Sequence, residues 1–297
     1  MKIRCLIENK ETPFLLYEHG LSLLIELDNL KILFDSGKTN SFLTNAKKLN
    51  INLDIDYLIL SHAHYDHTGG VIDFIKEYNY SKNIFVGTNF KANKYSLEDG
   101  NYTYKGTPFK IEELKNIKYV DNGLTITKNI ALYNNIKCNN SFENIGDKFY
   151  ILDNTYKKDL FLDEVVLTID TAKGLILIVG CSHAGICNIV SEVISRTNKK
   201  IRGIIGGFHL SKESDEYALK IINELKKYDL EFICPIHCSG HEKLFRQVFK
   251  NKCKILESGD AFSIDEEIKE YKTKSNDKLS SDYAEWTDRN YKDGDRN

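Results

Sequence analysis

Three histidines and one aspartate crowd into six positions of this chain, inside residues 61–70. An apolar run precedes them and a helical pattern follows, so they fall at the end of a predicted strand. Histidines two residues apart in an extended chain point to the same side, and the next turn carries the remaining two side chains to a neighbouring point. A single histidine is more often structural, but imidazole and carboxylate at this density suit zinc, iron or manganese. The cluster predicts two adjacent metal positions with candidate ligands His62, His64, Asp66 and His67.

The bulk composition limits the class of protein. A length of 297 residues suits one large α/β unit, and a hydrophobic content of 41% can supply its core. The net charge of −2 favours neither nucleic acid nor an anionic membrane, and no apolar run approaches the roughly 18 residues of a membrane span. Seven cysteines without an export signal predict reduced thiols in the cytoplasm. We expect a small-molecule substrate, and the sequence indicates no oligomeric state.

The first half of the chain is predicted to begin with a β-meander. Apolar runs separated by turn residues give the strands. The predicted strands are residues 14–17, 21–27, 31–34, 84–88 and 130–136. After the cluster, apolar residues at helical spacing predict a helix over residues 71–78. Residues 90–109, rich in aromatics, are expected to be loop, with ordinary packing favoured for those rings over stacking on a ligand.

Three later apolar runs each end at a histidine. The runs cover residues 175–180, 201–207 and 232–236 and lead to His183, His209 and His237. The helices predicted after them cover residues 186–194, 215–228, with Ser214 as N-cap, and 244–249. Seven of the eight histidines thus lie at four strand ends or just beyond, and only His19 lies elsewhere. Because ligands collect beyond the carboxyl ends of strands in layered α/β folds, the four ends are expected to meet at one site.

From about residue 270 the sequence turns polar with mixed charge, which is typical of a solvated or loosely docked segment. We therefore predict one domain over residues 1–268 and a polar C-terminal tail over residues 269–297.

The cluster resembles the most specific motif of the metallo-β-lactamase superfamily, and the strands at 20–26 and 32–37 resemble the opening of that fold. The resemblance implies an α/β fold, the αββα four-layer sandwich, with two sheets face to face and helices outside. A narrower resemblance is to the subgroup named for dihydropterin-ribofuranosylaminobenzene-phosphate synthase. Three segments carry it: Gly180-Cys181-Ser182-His183-Ala184-Gly185, Ile205-Gly206-Gly207-Phe208-His209-Leu210 and Pro235-Ile236-His237-Cys238-Ser239-Gly240.

The chain departs from the superfamily pattern at two places. No histidine occurs from residue 68 to 182, where members usually supply one, and Cys181 stands where a late strand usually ends in a bridging aspartate. Two interpretations stay open. His183 replaces the missing histidine with Cys181 near or on the bridging position, or the site binds one metal tightly and a second weakly.

The resemblance implies roles for these residues. His62, His64 and His183 are expected to hold one divalent ion, and Asp66, His67 and His237 the other, with Cys181 as a further candidate. Zinc is expected first, with iron or manganese as alternatives. Asp66 would also orient water or accept its proton. His209 would act as general acid or phosphate contact, or else hold a ligand in place.

The predicted function is a metal-dependent hydrolase or pterin-linked transferase acting on a phosphorylated or ring-bearing small molecule. One alternative is a diiron redox protein, although such relatives usually carry glutamate where this chain has His64. Another is a non-catalytic or sensor metalloprotein on the same fold. His241 is expected on the surface, on the same helix as His237. A structural zinc knuckle at residues 234–238 is disfavoured because no second cysteine pair completes it.

Overall fold

A computed structural model describes residues 1–27, 29–143 and 148–264. The predicted tail at residues 269–297 lies outside these ranges, so the domain boundary stays a prediction. The described strands are β1 (Lys2–Ile7), β2 (Ser22–Leu27), β3 (Leu30–Phe34), β4 (Tyr57–Ile59), β5 (Ile84–Gly87), β6 (Asn93–Glu98), β7 (Asn101–Tyr104), β8 (Ile117–Val120), β9 (Gly123–Thr127), β10 (Ile130–Tyr133), β11 (Phe149–Asp153), β12 (Thr155–Lys158), β13 (Val166–Thr171), β14 (Gly174–Val179), β15 (Ile201–Gly206), β16 (Phe232–Pro235) and β17 (Ala261–Ser263). The described α-helices are α1 (Ser41–Lys48), α2 (Tyr65–Thr68), α3 (Val71–Tyr78), α4 (Ile186–Thr197), α5 (Asp215–Lys226) and α6 (Glu242–Phe249).

The strands form two large mixed sheets and one small antiparallel sheet. The first sheet has the order β17-β1-β2-β3-β4-β5-β8, in which the pairs from β3 to β8 are parallel. The second has the order β16-β15-β14-β13-β10-β9, with parallel pairs only among β14, β15 and β16. The small sheet has the order β12-β11-β6-β7. Most of the parallel pairs are joined by a connection that contains a helix, because parallel strands need a crossover connection.

Three apolar clusters show how the layers are stacked. One joins residues of both large sheets, such as Leu23 and Ile178, and is the core between them. A second packs α4, α5 and α6 on the outer face of the second sheet, and a third packs α1 and α3 on the outer face of the first. The order helix, sheet, sheet, helix confirms the predicted αββα sandwich.

Most predicted elements are confirmed, and two are wrong. Residues 14–17 form no strand: Phe14 is 86% exposed, and the amide and carbonyl of Leu16 bond the side chain of Asn45 instead of a neighbouring strand. The opening strand is β1, which pairs with both β2 and β17. Its alternating burial gives it the hydrophobic contacts that residues 14–17 do not have.

The stretch at residues 90–109 was expected to be loop but contains the hairpin β6–β7. Asp99 and Gly100 connect the two strands, and both have positive φ, at 50° and 78°. Asp-Gly is a strong signal for a two-residue hairpin turn of this kind, so the sequence did contain the information. Ser96 in β6 and Lys105 just after β7 line a cavity of about 560 Å³, so the hairpin forms part of its wall.

Candidate metal centre

The four histidine-bearing strand ends meet at one place, as predicted from the sequence. β4 comes from the first sheet, and β14, β15 and β16 come from the second. One histidine beyond each strand lines a shared cavity of about 560 Å³: His64, His183, His209 and His237. Gly180 lets the two sheets approach here, because a Cβ at that position would collide with Ser61 Oγ at the end of β4.

The backbone at these strand ends adopts an uncommon conformation. Asp35, Ser182, His209 and His237 all have positive φ, between 51° and 61°. A non-glycine residue in this region costs roughly 1–2 kcal/mol, so the fold must hold each one in place. Each turn redirects the chain straight after its strand and brings a polar side chain to the same site.

His62, His64 and His183 form one group of candidate ligands, with one nitrogen of each within 4.8 Å of the others. Their rings lie 4.6 to 4.9 Å apart, centroid to centroid, and all three are buried. Burial lowers the pKa of each well below its ordinary value, and the neighbouring imidazoles add to the effect. Neutral imidazole is the form that binds metal.

Asp66, His67 and His237 form a second, tighter group. His67 Nε2 is 3.2 Å from His237 Nε2, and Asp66 Oδ2 is 3.6 Å and 3.4 Å from those two nitrogens. Ligand bonds of about 2.0–2.3 Å in a tetrahedron give edges of about 3.3–3.7 Å, so this spacing fits one ion. Burial disfavours charge on His67, but Asp35 and Asp66 outweigh it and raise its pKa to about 9. A proton on Nε2 therefore competes with a metal for this position.

Hydrogen bonds fix which nitrogen of each imidazole faces the centre. His67 Nδ1 donates to Asp35 Oδ2 at 2.6 Å, and His237 Nδ1 donates to Asn9 Oδ1 at 2.8 Å. His62 Nδ1 donates to Ser61 Oγ at 2.9 Å, because that hydroxyl donates its own proton to Asp35. The Nε2 atoms of all three face the site, as in metal-binding histidines, and that of His67 offers a lone pair once its proton has left.

Unpartnered buried nitrogens give a second sign of a metal site. Within the described ranges, His64 Nε2 and both ring nitrogens of His183 are buried without a hydrogen-bond partner. Buried polar atoms are rarely left unpaired. The histidine, carboxylate and thiol groups gathered here are zinc and iron ligands, so the residues fit a divalent ion.

Cys181 lies between the two groups. Its Sγ is 3.2 Å from His67 Nε2 and 3.3 Å from Cys238 Sγ, and it shares a possible ligand set with His183 and His209. Burial raises the pKa of the Cys181 thiol, and Cys238 adds to the rise. Cys181 also shares a possible ligand set with His62 and His67, while His183 shares one with His62 and His64. All seven cysteines are free.

His209 reaches the same cavity from β15. Its ring centroid is 4.4 Å from that of His183, and its Nδ1 has no hydrogen-bond partner among the described residues. His209 N donates to Cys238 Sγ at 3.3 Å, which fixes its backbone to the next strand end. This position fits both proposed roles, proton donor and holder of His183.

His19 was expected to lie apart from the other histidines, but the structure places it beside them. Its ring stacks on that of His237 at 5.1 Å, and its Nε2 is 3.3 Å from Asp66 Oδ2. His19 side chain is 53% exposed, so it forms the outer wall of the second group. It precedes Gly20 in a loop without periodicity, and no local pattern marked it.

A buried ion triad behind the site was also missed. Lys94 Nζ lies 2.6 Å from Asp159 and 2.7 Å from Asp163. Asp163 Oδ2 accepts a hydrogen bond from the amide of Ala63, the residue between His62 and His64. Burial disfavours the charge on Lys94, but the two carboxylates outweigh it and raise its pKa. The triad ties the small sheet to the backbone of the metal-binding loop.

His241 is neither on the surface nor on a helix with His237. His237 belongs to a 3₁₀ turn, His237–Ser239, and His241 caps α6. Its side chain is 10% exposed and bonds Asp215 and the carbonyl of Leu210. It does not line the cavity. The left-handed conformation of Gly240 and His241 separates the two helices, a break that spacing alone did not reveal.

Fold and site together define a class of protein: an αββα sandwich that gathers candidate metal ligands at strand ends of both sheets. A family model described as the metallo-β-lactamase superfamily matches residues 17–121. The chain is 35% identical over 262 residues to 7,8-dihydropterin-6-methyl-4-(β-D-ribofuranosyl)-aminobenzene-5′-phosphate synthase of Methanocaldococcus jannaschii, covering 82% of this chain and 88% of that protein. The chain belongs to the metallo-β-lactamase superfamily, an enzyme superfamily whose members typically bind metal ions.

Two further relatives agree with this assignment. An uncharacterized protein of the same organism is 34% identical over 247 residues, covering 82% of this chain and 92% of that protein. The solved structure of Tm1679, a metal-dependent hydrolase of the β-lactamase superfamily, matches with a TM-score of 0.77 and 31% identity over 89% of this chain and 99% of that one. The family resemblance read from the motifs is thereby confirmed. In the described ranges, no helix has the length and apolar character needed to cross a membrane.

Proposed function

We propose that this protein is a metal-dependent enzyme of the hydrolase type that acts on a phosphorylated or ring-bearing small molecule. The observation that carries the proposal is the spacing of Asp66, His67 and His237, whose facing atoms lie 3.2 to 3.6 Å apart. Three polar atoms at this spacing, two of them on histidines whose other nitrogen is engaged, are arranged for a shared cation.

Two ion positions follow from the two groups. His62, His64 and His183 would hold one ion, and Asp66, His67 and His237 the other, with the sulfur of Cys181 between them. A bound divalent ion supplies a Lewis acid that polarises a substrate oxygen and lowers the pKa of water. Zinc is the first expectation, since histidine, carboxylate and thiolate all suit it, and iron or manganese are alternatives.

Two side chains are proposed to handle protons. Asp66 lines the cavity, and its carboxylate would orient an attacking water or accept its proton. His209 also lines the cavity with a free Nδ1, and would donate a proton to the leaving group or contact a phosphate. If His209 only holds His183 in place, His209→Gln will reduce metal content and kcat together. A catalytic His209 predicts full metal content with lower kcat and an altered pH profile.

The cavity supports a small substrate with a flat ring. Its volume of about 560 Å³ is in the usual range for small-molecule sites. Phe149 lines it, with its ring 5.1 Å from His183 and 5.7 Å from His209. The relative named as a dihydropterin-linked synthase extends the proposal to transfer onto a ring-bearing acceptor in place of water.

The test combines metal analysis with a substrate panel. Protein loaded separately with zinc, manganese and iron would be assayed on phosphodiesters, phosphate monoesters and thioesters, and for condensation of a dihydropterin with a phosphorylated ring compound. We expect stoichiometric metal and activity on a phosphorylated substrate, both lost in His67→Ala. Asp54→Asn, which alters an exposed side chain, is the matched control.

Other outcomes would contradict the proposal. A protein that binds metal fully yet is inactive on every class would be a sensor or binding protein. An iron-dependent absorption band with electron transfer would indicate the redox alternative. Absence of bound metal under all loading conditions would remove the basis of the proposal.

A further inference from the structure

Three lysines from separate parts of the chain meet at the cavity above the metal centre. Lys105 follows β7, Lys148 precedes β11 and Lys212 follows β15, and all three line the cavity. We call these residues the lysine cluster. The metal groups account for the histidines at the base of the cavity, and none of the roles proposed above uses these three cations.

Hydrogen bonds hold the cluster in a defined position relative to the metal ligands. Lys105 O accepts from the amide of Tyr65, the residue between His64 and Asp66, at 3.0 Å. Lys105 N donates to the carbonyl of Lys94 in β6 at 2.8 Å. The backbone of Lys105 therefore connects the small sheet to the metal-binding loop.

The other two lysines are anchored in the same way. Lys148 O accepts from Leu97 N at 2.7 Å, and the Lys148 ammonium lies 5.2 Å from the ring centroid of Phe149. Lys212 follows Ser211, whose amide donates to the carbonyl of Cys238 at 3.0 Å. Each lysine is therefore adjacent in sequence, or hydrogen-bonded, to another residue that lines the cavity: Tyr65, Phe149 or Ser211.

Like charges at the cluster repel one another. Burial lowers the pKa of Lys148, and the charges of Lys212 and Lys105 lower it further. Glu98, at 4.0 Å from Lys148, offsets part of this charge and is half exposed. In the described ranges, no carboxylate lies within 4.0 Å of the ammonium of Lys105 or Lys212. A bound anion would offset the electrostatic repulsion among these ammonium groups.

Two of the carboxylates that line the cavity are engaged elsewhere. The carboxylate of Glu143 accepts hydrogen bonds from the amides of Cys187 and Asn188 at the start of α4, each at 2.8 Å. Asp66 is in the second metal group. Glu213 lines the same cavity, but no ion pair joins it to the cluster among the described residues. Counted against Glu98 and Glu213, which also line the cavity, the three lysines leave an excess of one positive charge among the described residues.

We propose that Lys105, Lys148 and Lys212 bind the phosphate of a small-molecule phosphate monoester whose remaining part reaches the metal centre. This assignment rests on the proposed function, because it places the phosphate away from the reacting bond. Lysine ammonium groups bind phosphate as adjustable point charges. A cavity of about 560 Å³ accommodates one small molecule, which favours a monoester over a polymer.

The test measures binding of phenyl phosphate by calorimetry. It uses metal-loaded wild-type protein and the His62→Ala, His67→Ala double variant, in which metal sites are removed. We expect phenyl phosphate to bind both proteins, and the further change Lys148→Gln with Lys212→Gln to weaken binding at least about tenfold in each, as loss of two charge-assisted contacts predicts. Lys148→Arg should retain most of the affinity.

The matched control is Lys173→Gln with Lys200→Gln, which removes two exposed lysines that do not line the cavity. Equal weakening in the control, or no weakening in the cluster variant, overturns the proposal. Loss of binding on metal removal alone would assign the phosphate to the metals. Tighter and more salt-dependent binding of single-stranded RNA would assign the cluster to a polymer. The calorimetric assay measures binding and needs no turnover. Inactivity across the substrate panel would therefore contradict the proposed function without changing the measured affinity for phenyl phosphate.

Discussion

Asp35 Oδ2 lies 2.6 Å from His67 Nδ1, and both side chains are fully buried. The same carboxylate accepts from Ser61 N and Ser61 Oγ, each at 2.7 Å, and Ser61 Oγ in turn holds His62. One carboxylate at the end of β3 thus orients a histidine in each of the two metal groups. Its backbone has a φ of 61°, so this arrangement is imposed by the surrounding structure.

Asp35→Asn is expected to weaken metal binding by about 10- to 100-fold, the usual effect of losing an outer partner of a metal-binding histidine. An amide offers one acceptor and one donor in place of two acceptors, so it cannot serve both Ser61 and His67. Competition with a coloured chelator would measure the affinity, with Asp54→Asn as the exposed control. An unchanged affinity would show that the histidines are oriented without Asp35.

Cys181→Ser is expected to remove the sulfur-to-cobalt charge-transfer absorption of cobalt-loaded protein and to weaken the second equivalent of metal more than the first. We expect this because Cys181 Sγ lies between the two groups of candidate ligands, 3.2 Å from His67 Nε2. Cys187→Ser is the control, because it changes a buried thiol of α4 that does not line the cavity. This variant should retain the absorption. If the Cys181 variant retains it and Cys238→Ser loses it, the ligand is the neighbouring sulfur.

Lys94→Met is expected to destabilise the domain by about 3–5 kcal/mol, because it leaves two buried carboxylates without their cation. Denaturant unfolding followed by circular dichroism would measure the free energy. Lys157→Met is the matched control, since it breaks an exposed pair with Asp153 on the same small sheet. We expect that change to leave the unfolding midpoint nearly unchanged, and equal effects of the two substitutions would contradict the prediction.

Glu143→Gln is expected to flatten the pH dependence of stability above pH 4.5. Burial raises the pKa of Glu143 above 4.5 in the folded protein, despite hydrogen bonds from the amides of Cys187 and Asn188. The folded state then holds a proton that the unfolded chain releases, so stability falls as the pH rises through this window. Unfolding free energies at several pH values would show the slope, with exposed Glu112→Gln as control. An unchanged slope would exclude Glu143 as its source.

The convergence of the site could be predicted from sequence because its signals are local. His62, His183, His209 and His237 each follow an apolar run that reads as a strand, and strands of one layered fold place their carboxyl ends together. The fold itself came from the resemblance, since the apolar runs fix the strands but not the order in which they pair. Asp-Gly at 99–100 was a further local signal, and reading it would have revealed the hairpin.

The missing parts depend on contacts between distant residues. Lys94 and Asp163 are 69 positions apart, and neither has a neighbour in sequence that marks it as buried. Asp35 follows a predicted strand and His19 lies in a loop, and no local pattern marks either one as part of the site. Their roles arise when strands from two sheets pack together, which composition and periodicity do not describe. The departure at Cys181 was visible in sequence, but its place between the two groups required coordinates.

Asn9 Oδ1 and His237 Nδ1 are joined across 228 positions of the chain. The first metal group likewise needs His183, and the second needs His237, long after the cluster at residues 61–70 has been made. A chain still leaving the ribosome carries two of the three candidate ligands of each group. The first group is complete only after β14 has emerged, and the second only after β16. An ion held by all three residues of the second group would therefore require that nearly the whole domain has been synthesised.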